Sequence, residues 1–339
     1  MKTIRTLASA HTRRAVKAVV GQLGIMNIGR ALIAAKREAG RTGVTTGQWF
    51  HPSLWKVLGS REAVIDGDRR ISFAEFGDRV MRTTHALHEL GLRPGDSCAV
   101  LMYNGATWFL INQACNISGF KMPMLNWHLN PNELVHCVNI SRAKVLVIDP
   151  EFCAAVQEVR QQLRVDHIVV AGDGAIPADM AGLELLIARA EPKLYPGKFH
   201  ISSKAYSGGT TGTPKFIDID QASLLGEHDA ARRGASREEA VRMTIMQLSA
   251  LGWYGLGDLK DAQTGNARSL IPGPLYHAGV QVAVLPFLFG GTVVPMRKFS
   301  PEGFLKAIQD ERINWTFVAP TMLERVLALP DDIKHRYSL

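Results

Sequence analysis

From about residue 50 to residue 171 the sequence alternates between strand-like and helix-like stretches, and no other feature limits the fold as strongly. Ala63–Asp66 and Arg70–Ser72 read as a short hairpin around Gly67-Asp68. Ser72-Phe73-Ala74-Glu75 has the spacing of a capping box and opens a helix to Leu90. The turn Gly91–Asp96 leads into a strand at Ser97–Met102, a helix over Ala106–Ser118 and a strand over Met122–Leu125. Asn130 caps a helix reaching Ser141, and Lys144–Asp149 is a buried strand closed by Pro150. A helix over Phe152–Leu163 and a strand over His167–Ala171 continue the alternation. This rhythm predicts an α/β fold: stacked mixed or parallel sheets flanked by helices, with right-handed crossovers. A length of 339 residues allows two or three units, divided as a leader over 1–45, a first α/β subdomain over 46–200 and a second over 201–339.

The second half keeps the alternation. Residues 172–200 are connecting structure with one short helix, Leu183–Ala190. Strands over Phe199–Ala205 and Lys215–Ile219 make a hairpin with a Gly-rich loop at its tip. Residues 221–267 read as a solvated helical face, with Arg232, Arg233, Arg237 and Arg242 among acids. Gly252–Gly257 lacks the third glycine of a dinucleotide fingerprint. Strands at Arg268–Ile271, at Thr292–Pro295 after Gly290-Gly291, and at Trp315–Val318 frame a helix from Ser300 to Glu311. A further helix starts at Ala319-Pro320-Thr321-Met322.

The chemistry concentrates in that loop, Tyr206-Ser207-Gly208-Gly209-Thr210-Thr211-Gly212-Thr213-Pro214-Lys215. Glycines let backbone approach a ligand closely, and successive exposed N–H groups form a concave anion site. Threonine hydroxyls donate to phosphate oxygens or bind magnesium, and Lys215 adds a mobile positive charge. The competing reading is an ordinary surface loop, since Gly and Thr also cluster there. A Walker A motif is excluded, because Lys215 sits between Pro214 and Phe216.

Charge bears on partners. The first 41 residues hold nine Lys or Arg and one acid, so they carry +8, the net charge of the whole chain. The remainder is neutral, which argues against nucleic-acid binding. Within the leader, Val16, Val19, Val20, Leu23 and Met26 have helical spacing. The apolar run Ala18–Gly29 falls short of the roughly 20 residues that cross a bilayer. Three readings stay open for residues 1–41: a helix on an anionic membrane surface, a helix packed on the body, or a transit peptide. Cys98, Cys115, Cys137 and Cys153 form no Cys-x-x-Cys pair and read as buried reduced thiols, as in a cytoplasmic protein.

The loop resembles the nucleotide-phosphate loop of the adenylate-forming superfamily, which includes acyl-CoA synthetases, luciferases and peptide-synthetase adenylation domains. The match runs from Tyr206 to Lys215, with Gly208 where Ser is usual; beyond it Phe216 stands where Gly is usual. Gly273-Pro274-Leu275-Tyr276-His277-Ala278-Gly279 resembles a second motif of the same superfamily. Pro123, Asn126 and Trp127-His128-Leu129 look like its fatty acyl-CoA synthetase branch. The resemblance implies ATP, Mg2+ and CoA, with a fatty acid as the acid. It places Ser207, Gly208, Gly209, Thr210, Thr211, Gly212, Thr213 and Lys215 on the phosphates, Thr211 on the metal and His277 beside the acyl pocket. The apolar Pro286–Leu288 stretch and the leader favour a fatty over an amino acid, with peripheral membrane contact through residues 1–41. The superfamily's later magnesium motif and adenylation lysine are absent from these 339 residues. The expectation is therefore an N-terminal part, inactive alone. The alternative is a degenerate relative that binds nucleotide, lipid or membrane without turnover.

Overall fold

Side chains on the strands point alternately to opposite faces, and in this chain both faces are apolar. In the computed structural model, which describes residues 10–172, 174–197, 203–207, 214–217, 261 and 264–338, that alternation builds a layered core. One sheet runs β12 (Trp315–Thr316), β10 (Arg268–Ile271), β11 (Thr292–Pro295), β1 (Glu62–Asp66), β2 (Arg69–Ser72). It is parallel except for the β1–β2 hairpin. A second, all-parallel sheet runs β3 (Ser97–Leu101), β5 (Ala143–Ile148), β6 (His167–Val170), β7 (Ala181–Gly182). A third joins β4 (Met122–Pro123) in parallel to β8 (Ser203–Ser207), which pairs antiparallel with β9 (Lys215–Ile217).

The layers follow from which residue points where. Val64, Val145, Val147, Val169 and Val293 face one shared core. Ile65, Leu270 and Val294 face the opposite side of the first sheet, and Leu146, Ile148 and Val170 the opposite side of the second. Helix α5 (Ala106–Ser118) lies in the shared core, and Thr107 is its one residue that is not buried. Such an all-round apolar helix belongs between layers. Its polar Asn112 accepts from Gln113 (2.9 Å) and Asn116 (3.2 Å). The Phe73–Glu89 helix, α4, adds Phe73 and Phe76, which meet Phe287 at 5.7 and 5.0 Å between ring centres. Pro286 is buried and Phe287 is 1% exposed, so these two residues of the apolar Pro286–Leu288 stretch contribute to the core.

The leader is built into the body. Helix α1 (Ala10–Leu23) meets α2 (Ile25–Thr42) at Gly24, whose φ of +80° lets the chain bend by 75°. Ala31 and Ala35, four residues apart, are fully buried where α2 packs on α3 (Thr46–Leu58). Gln22, 3% exposed, donates to the Gly290 and Gly265 carbonyls. Of the three readings left open by the sequence, packing on the body is the one these contacts match. No single helix among the described residues is long and apolar enough to cross a membrane.

Several elements differ from expectation for local reasons. The box at Ser72 is half formed: Ser72 accepts from the Glu75 N–H (3.2 Å), but the Glu75 carboxylate turns to Arg69 (3.3 Å). A full box forms at Asn130 and Glu133, opening α6 (Pro131–Ile140). The helix expected over Phe152–Leu163 shortens to α7 (Cys153–Glu158) between 3-10 turns, because Asn139 captures the Gln162 carbonyl (2.9 Å) and the Arg164 N–H (2.8 Å). β4 is short because the chain there changes sheets: Met124 donates to Lys204 of β8, and Leu125 to Val100 of β3.

Candidate functional site

In open α/β sheets ligands collect at the carboxyl ends of the parallel strands. Here the β8–β9 hairpin, Tyr103 and Asn104 after β3, Asp149 after β5, the 273–277 loop after β10 and Arg297-Lys298 after β11 all lie at such ends.

The hairpin that carries the phosphate-type loop is held on both arms by α6. The Tyr206 hydroxyl donates to the Cys137 carbonyl (2.8 Å), and His136 Nε2 lies 3.0 Å from the Pro214 carbonyl. Burial raises the Tyr206 phenol above its ordinary range, so it stays a donor. Tyr206 and Phe216 are paired across the strands, with ring centres 5.3 Å apart. The bulky residue that departs from the superfamily pattern thus packs on the hairpin itself. Lys215 is exposed and pairs in register with Ser207. Gly208, Gly209, Thr210, Thr211, Gly212 and Thr213 lie outside the described residues, as do residues 221–260.

The second marker is held by a side chain the sequence did not single out. Asn104, 1% exposed, donates to the Gly273 carbonyl (2.7 Å) and accepts from the Leu275 N–H (2.9 Å). These bonds fix the turn before Tyr276 and His277. Tyr276 stands edge-on to Trp127 (4.7 Å) and against His277 (4.5 Å). His277 is exposed at the rim, and partial burial lowers its pKa, favouring the neutral imidazole. Trp127 packs on the same cluster as Tyr206 and contacts Tyr103 (4.9 Å). The Asn126–Leu129 segment therefore lies between the hairpin and the His277 loop.

A charged rim completes the region. Arg297 and Lys298 sit over the Tyr103 ring at 4.8 and 4.6 Å. Arg297 pairs with Glu151 and approaches Asp149 (3.4 Å). Asp149, 7% exposed, accepts from the Tyr103 N–H (2.9 Å). Burial pushes its carboxyl up to about 6. The folded chain then holds a proton between about pH 4 and 6 that the unfolded chain has released, so stability falls as pH rises through that window. Asp149→Asn cannot ionise and is expected to gain about 2–3 kcal/mol relative to the natural protein between pH 4 and pH 7. Urea denaturation at the two pH values checks this, and a pH-independent difference between the two proteins would refute it. Tyr103, Asn104, Asp149, Arg297 and Lys298 escaped the sequence reading; their one available signal was position within three residues after a strand.

Among the described residues no group of three or more His, Cys, Asp or Glu side chains is arranged to hold a metal. The expected metal contact, Thr211, lies outside them.

A family profile described as "AMP-binding enzyme" matches residues 55–339. The chain is 28% identical over 272 residues to a feruloyl-CoA synthase of Amycolatopsis sp, covering 79% of this chain and 47% of that protein. It is 27% identical to the 2-succinylbenzoate–CoA ligase of Bacillus licheniformis, covering 83% and 52%. It is 23% identical to the medium/long-chain-fatty-acid–CoA ligase FadD8 of Mycobacterium tuberculosis, covering 78% and 43%. The chain thus spans about half the length of these curated relatives. The crystal structure of the anthranilate CoA ligase AuaEII with anthranoyl-AMP shares the fold, with a TM-score of 0.66 at 22% identity over 81% of this chain and 50% of that one. The amide bond synthetase McbA from Marinactinospora thermotolerans gives a TM-score of 0.64 at 24% identity, covering 84% and 51%. With a profile match over most of its length, and with the α/β layers its relatives share, the chain belongs to the AMP-binding enzyme family.

Proposed function

We propose that this chain supplies the phosphate-holding and acid-facing parts of an ATP-dependent acid–CoA ligase, with a fatty acid as the acid. The observation that carries the reading is the β8–β9 hairpin, pinned on both arms by α6, with Trp127 packed in the cluster of Tyr206 and against Tyr276 of the His277 loop. In the reaction a carboxylate oxygen of the acid attacks the α-phosphorus of ATP. The new O–P bond forms as the bond to pyrophosphate breaks. The CoA sulfur then attacks the acyl carbon, the thiol proton is released, and AMP leaves with the C–O electron pair.

Such a transfer needs positioning and charge neutralisation more than covalent help from the protein. Lys215, at the mouth of the hairpin opposite Ser207, would neutralise the departing phosphates. Thr210, Thr213 and the amides of Ser207, Gly208, Gly209 and Gly212 would donate to their oxygens. Magnesium, when bound, adds further charge neutralisation, and the Thr211 hydroxyl is its candidate ligand. His277, as a neutral imidazole, would border the acid without setting a charge against its apolar part. A fatty acid is supported by the likeness to the FadD8 ligase, whereas the feruloyl-CoA synthase supports an aryl acid. Adenylate formation from dodecanoate against ferulate, in the longest natural chain that carries this region, decides between them.

Lys215→Ala is expected to weaken ATP binding roughly 10- to 100-fold, the loss of one charge-assisted contact. Calorimetric titration of the 339-residue chain reads this out. Unchanged ATP affinity would remove the phosphate role of the hairpin.

A further inference from the structure

Three helices of the N-terminal region leave an open crevice of about 860 Å³ between them. That volume lies within the range of about 300–1,000 Å³ typical of small-molecule sites. None of the residues lining it belongs to β8, β9 or the 273–277 loop, so it is separate from the site described above.

Each wall is one face of a helix. From α2 come Arg30, Ile33, Ala34 and Arg37, spaced i, i+3, i+4, i+7. This face is distinct from the one that buries Ala31 and Ala35. From α3 come Trp49, Pro52, Ser53 and Val57, with Lys56 beside them. From α4 come Gly77 and Met81. Gly77 is needed at the floor, since a Cβ there would lie 3.1 Å from Trp55 Cβ. The interior is thus apolar, and Ile33 stands 73% exposed above it.

The charges are unequal. Both carboxylates of the lining are already paired within the helices: Glu38 takes two bonds from Arg41 (3.0 and 2.8 Å), and Asp78 takes one from Arg82 (2.7 Å). Arg30, Arg37 and Lys56 have no carboxylate partner among the described residues. An apolar trough rimmed by three uncompensated cations is complementary to a molecule with an alkyl chain and a compact anionic head. Arg30 and Arg37, two turns apart on α2, and Lys56 on α3 can close on a carboxylate or phosphate from two sides.

We propose that the crevice between α2, α3 and α4 binds a single-chain anionic amphiphile, its alkyl chain against Trp49, Pro52, Val57 and Met81 and its head on Arg30, Arg37 and Lys56. The site is independent of the nucleotide hairpin and does not rest on the ligase reading.

The test uses the 339-residue chain and monomeric probes below their micelle concentrations. Dodecanoate and dodecyl phosphate carry the two head chemistries, and dodecyl maltoside is the neutral control. Each anionic probe is expected to bind saturably in the crevice, apart from any dodecanoate taken up beside His277, and to displace the other from it. The tighter of the two identifies the natural head as a carboxylate or a phosphate ester. The maltoside is expected to bind at least tenfold more weakly. The surface pair Arg37→Glu/Lys56→Glu should raise the Kd of both anionic probes at least tenfold, with the melting temperature and ATP affinity unaltered. Ser53→Trp, which fills the trough, should do the same to chain binding. Lys215→Ala should leave the amphiphile Kd unchanged. The proposal is overturned by equal binding of the maltoside, by wild-type affinity in the charge-reversed pair, or by retention on anionic vesicles with no binding of monomeric probes. If Ser53→Trp does not fold, the exposed pair decides alone.

Discussion

Asn104→Ala is expected to lower the stability of this chain by about 3 kcal/mol and its melting temperature by roughly 4 °C. Asn104 lies three residues beyond the end of β3, and Gly105 then caps α5. Its amide reaches across the core to a segment some 170 residues later, where it serves the Gly273 carbonyl and the Leu275 N–H at once, with a longer contact to the Ile271 carbonyl (3.4 Å). At 1% exposure water cannot replace it. Truncation therefore leaves the Gly273 carbonyl without its short donor and opens a small cavity, and both costs add. Asn104→Asp keeps an acceptor for Leu275 but sets an acidic group against the Gly273 carbonyl, so it is expected to cost at least as much. The effect is local as well as global. The Leu275 amide should exchange with solvent faster in Asn104→Ala, and His277 should lose its fixed position at the rim. An alanine variant melting within about 2 °C of the natural protein would show that the His277 loop is held by other contacts.

What could be read from the sequence was whatever neighbours in sequence decide. β3, β5 and β6 are short, mostly apolar runs, and with β7 they form the all-parallel sheet. α5 was legible to the residue, because Gly105 and Gly119 bracket an apolar stretch with no other breaker. Asn130 with Glu133 specified its helix start by two reciprocal bonds three residues apart. The candidate site was legible only as two motifs. What holds them was not: His136 and Cys137 grip the hairpin from 69 to 78 residues away, and Asn104 reaches further still. Phe216 shows the same limit. Judged against a pattern it is too large, yet in three dimensions it has Tyr206 beside it. The apolar Pro286–Leu288 stretch was read for the kind of acid it favours, whereas composition could not show that Phe287 packs among Phe73, Phe76 and Phe109.

The leader gives the second large expected effect. Gln22→Ala should destabilise the chain by about 2–3 kcal/mol, and Arg61→Ala by a similar amount. Gln22 donates to the carbonyls of Gly290 (2.7 Å) and Gly265 (3.1 Å) and accepts from the Ala267 N–H (3.0 Å). Arg61 donates to the same two carbonyls (3.1 and 2.7 Å) and to the Gln22 carbonyl (2.8 Å). Burial lowers the Arg61 pKa from a value so high that the guanidinium stays charged, and three carbonyl dipoles stand where a carboxylate would otherwise be needed. The two residues share acceptors, so each single variant leaves both carbonyls with one donor. The double variant leaves them with neither. Its cost should exceed the sum of the singles by about 1 kcal/mol, a coupling that independent contacts would not show. Backbone geometry supports the convergence: Gly290 has φ +78°, and a Cβ there would meet Leu23 Cδ2 at 2.8 Å. In hydrogen exchange the Ala267 amide should open in Gln22→Ala while Leu275 stays protected, the reverse of Asn104→Ala. Strictly additive costs, or matching exchange patterns in the two variants, would mean that α1 merely rests on the body. If the coupling is found, deleting residues 1–41 removes part of the core along with the basic residues. Membrane contact by the leader must then be tested with exposed substitutions such as Ile25→Glu and Met26→Glu, whose side chains leave that bond network intact.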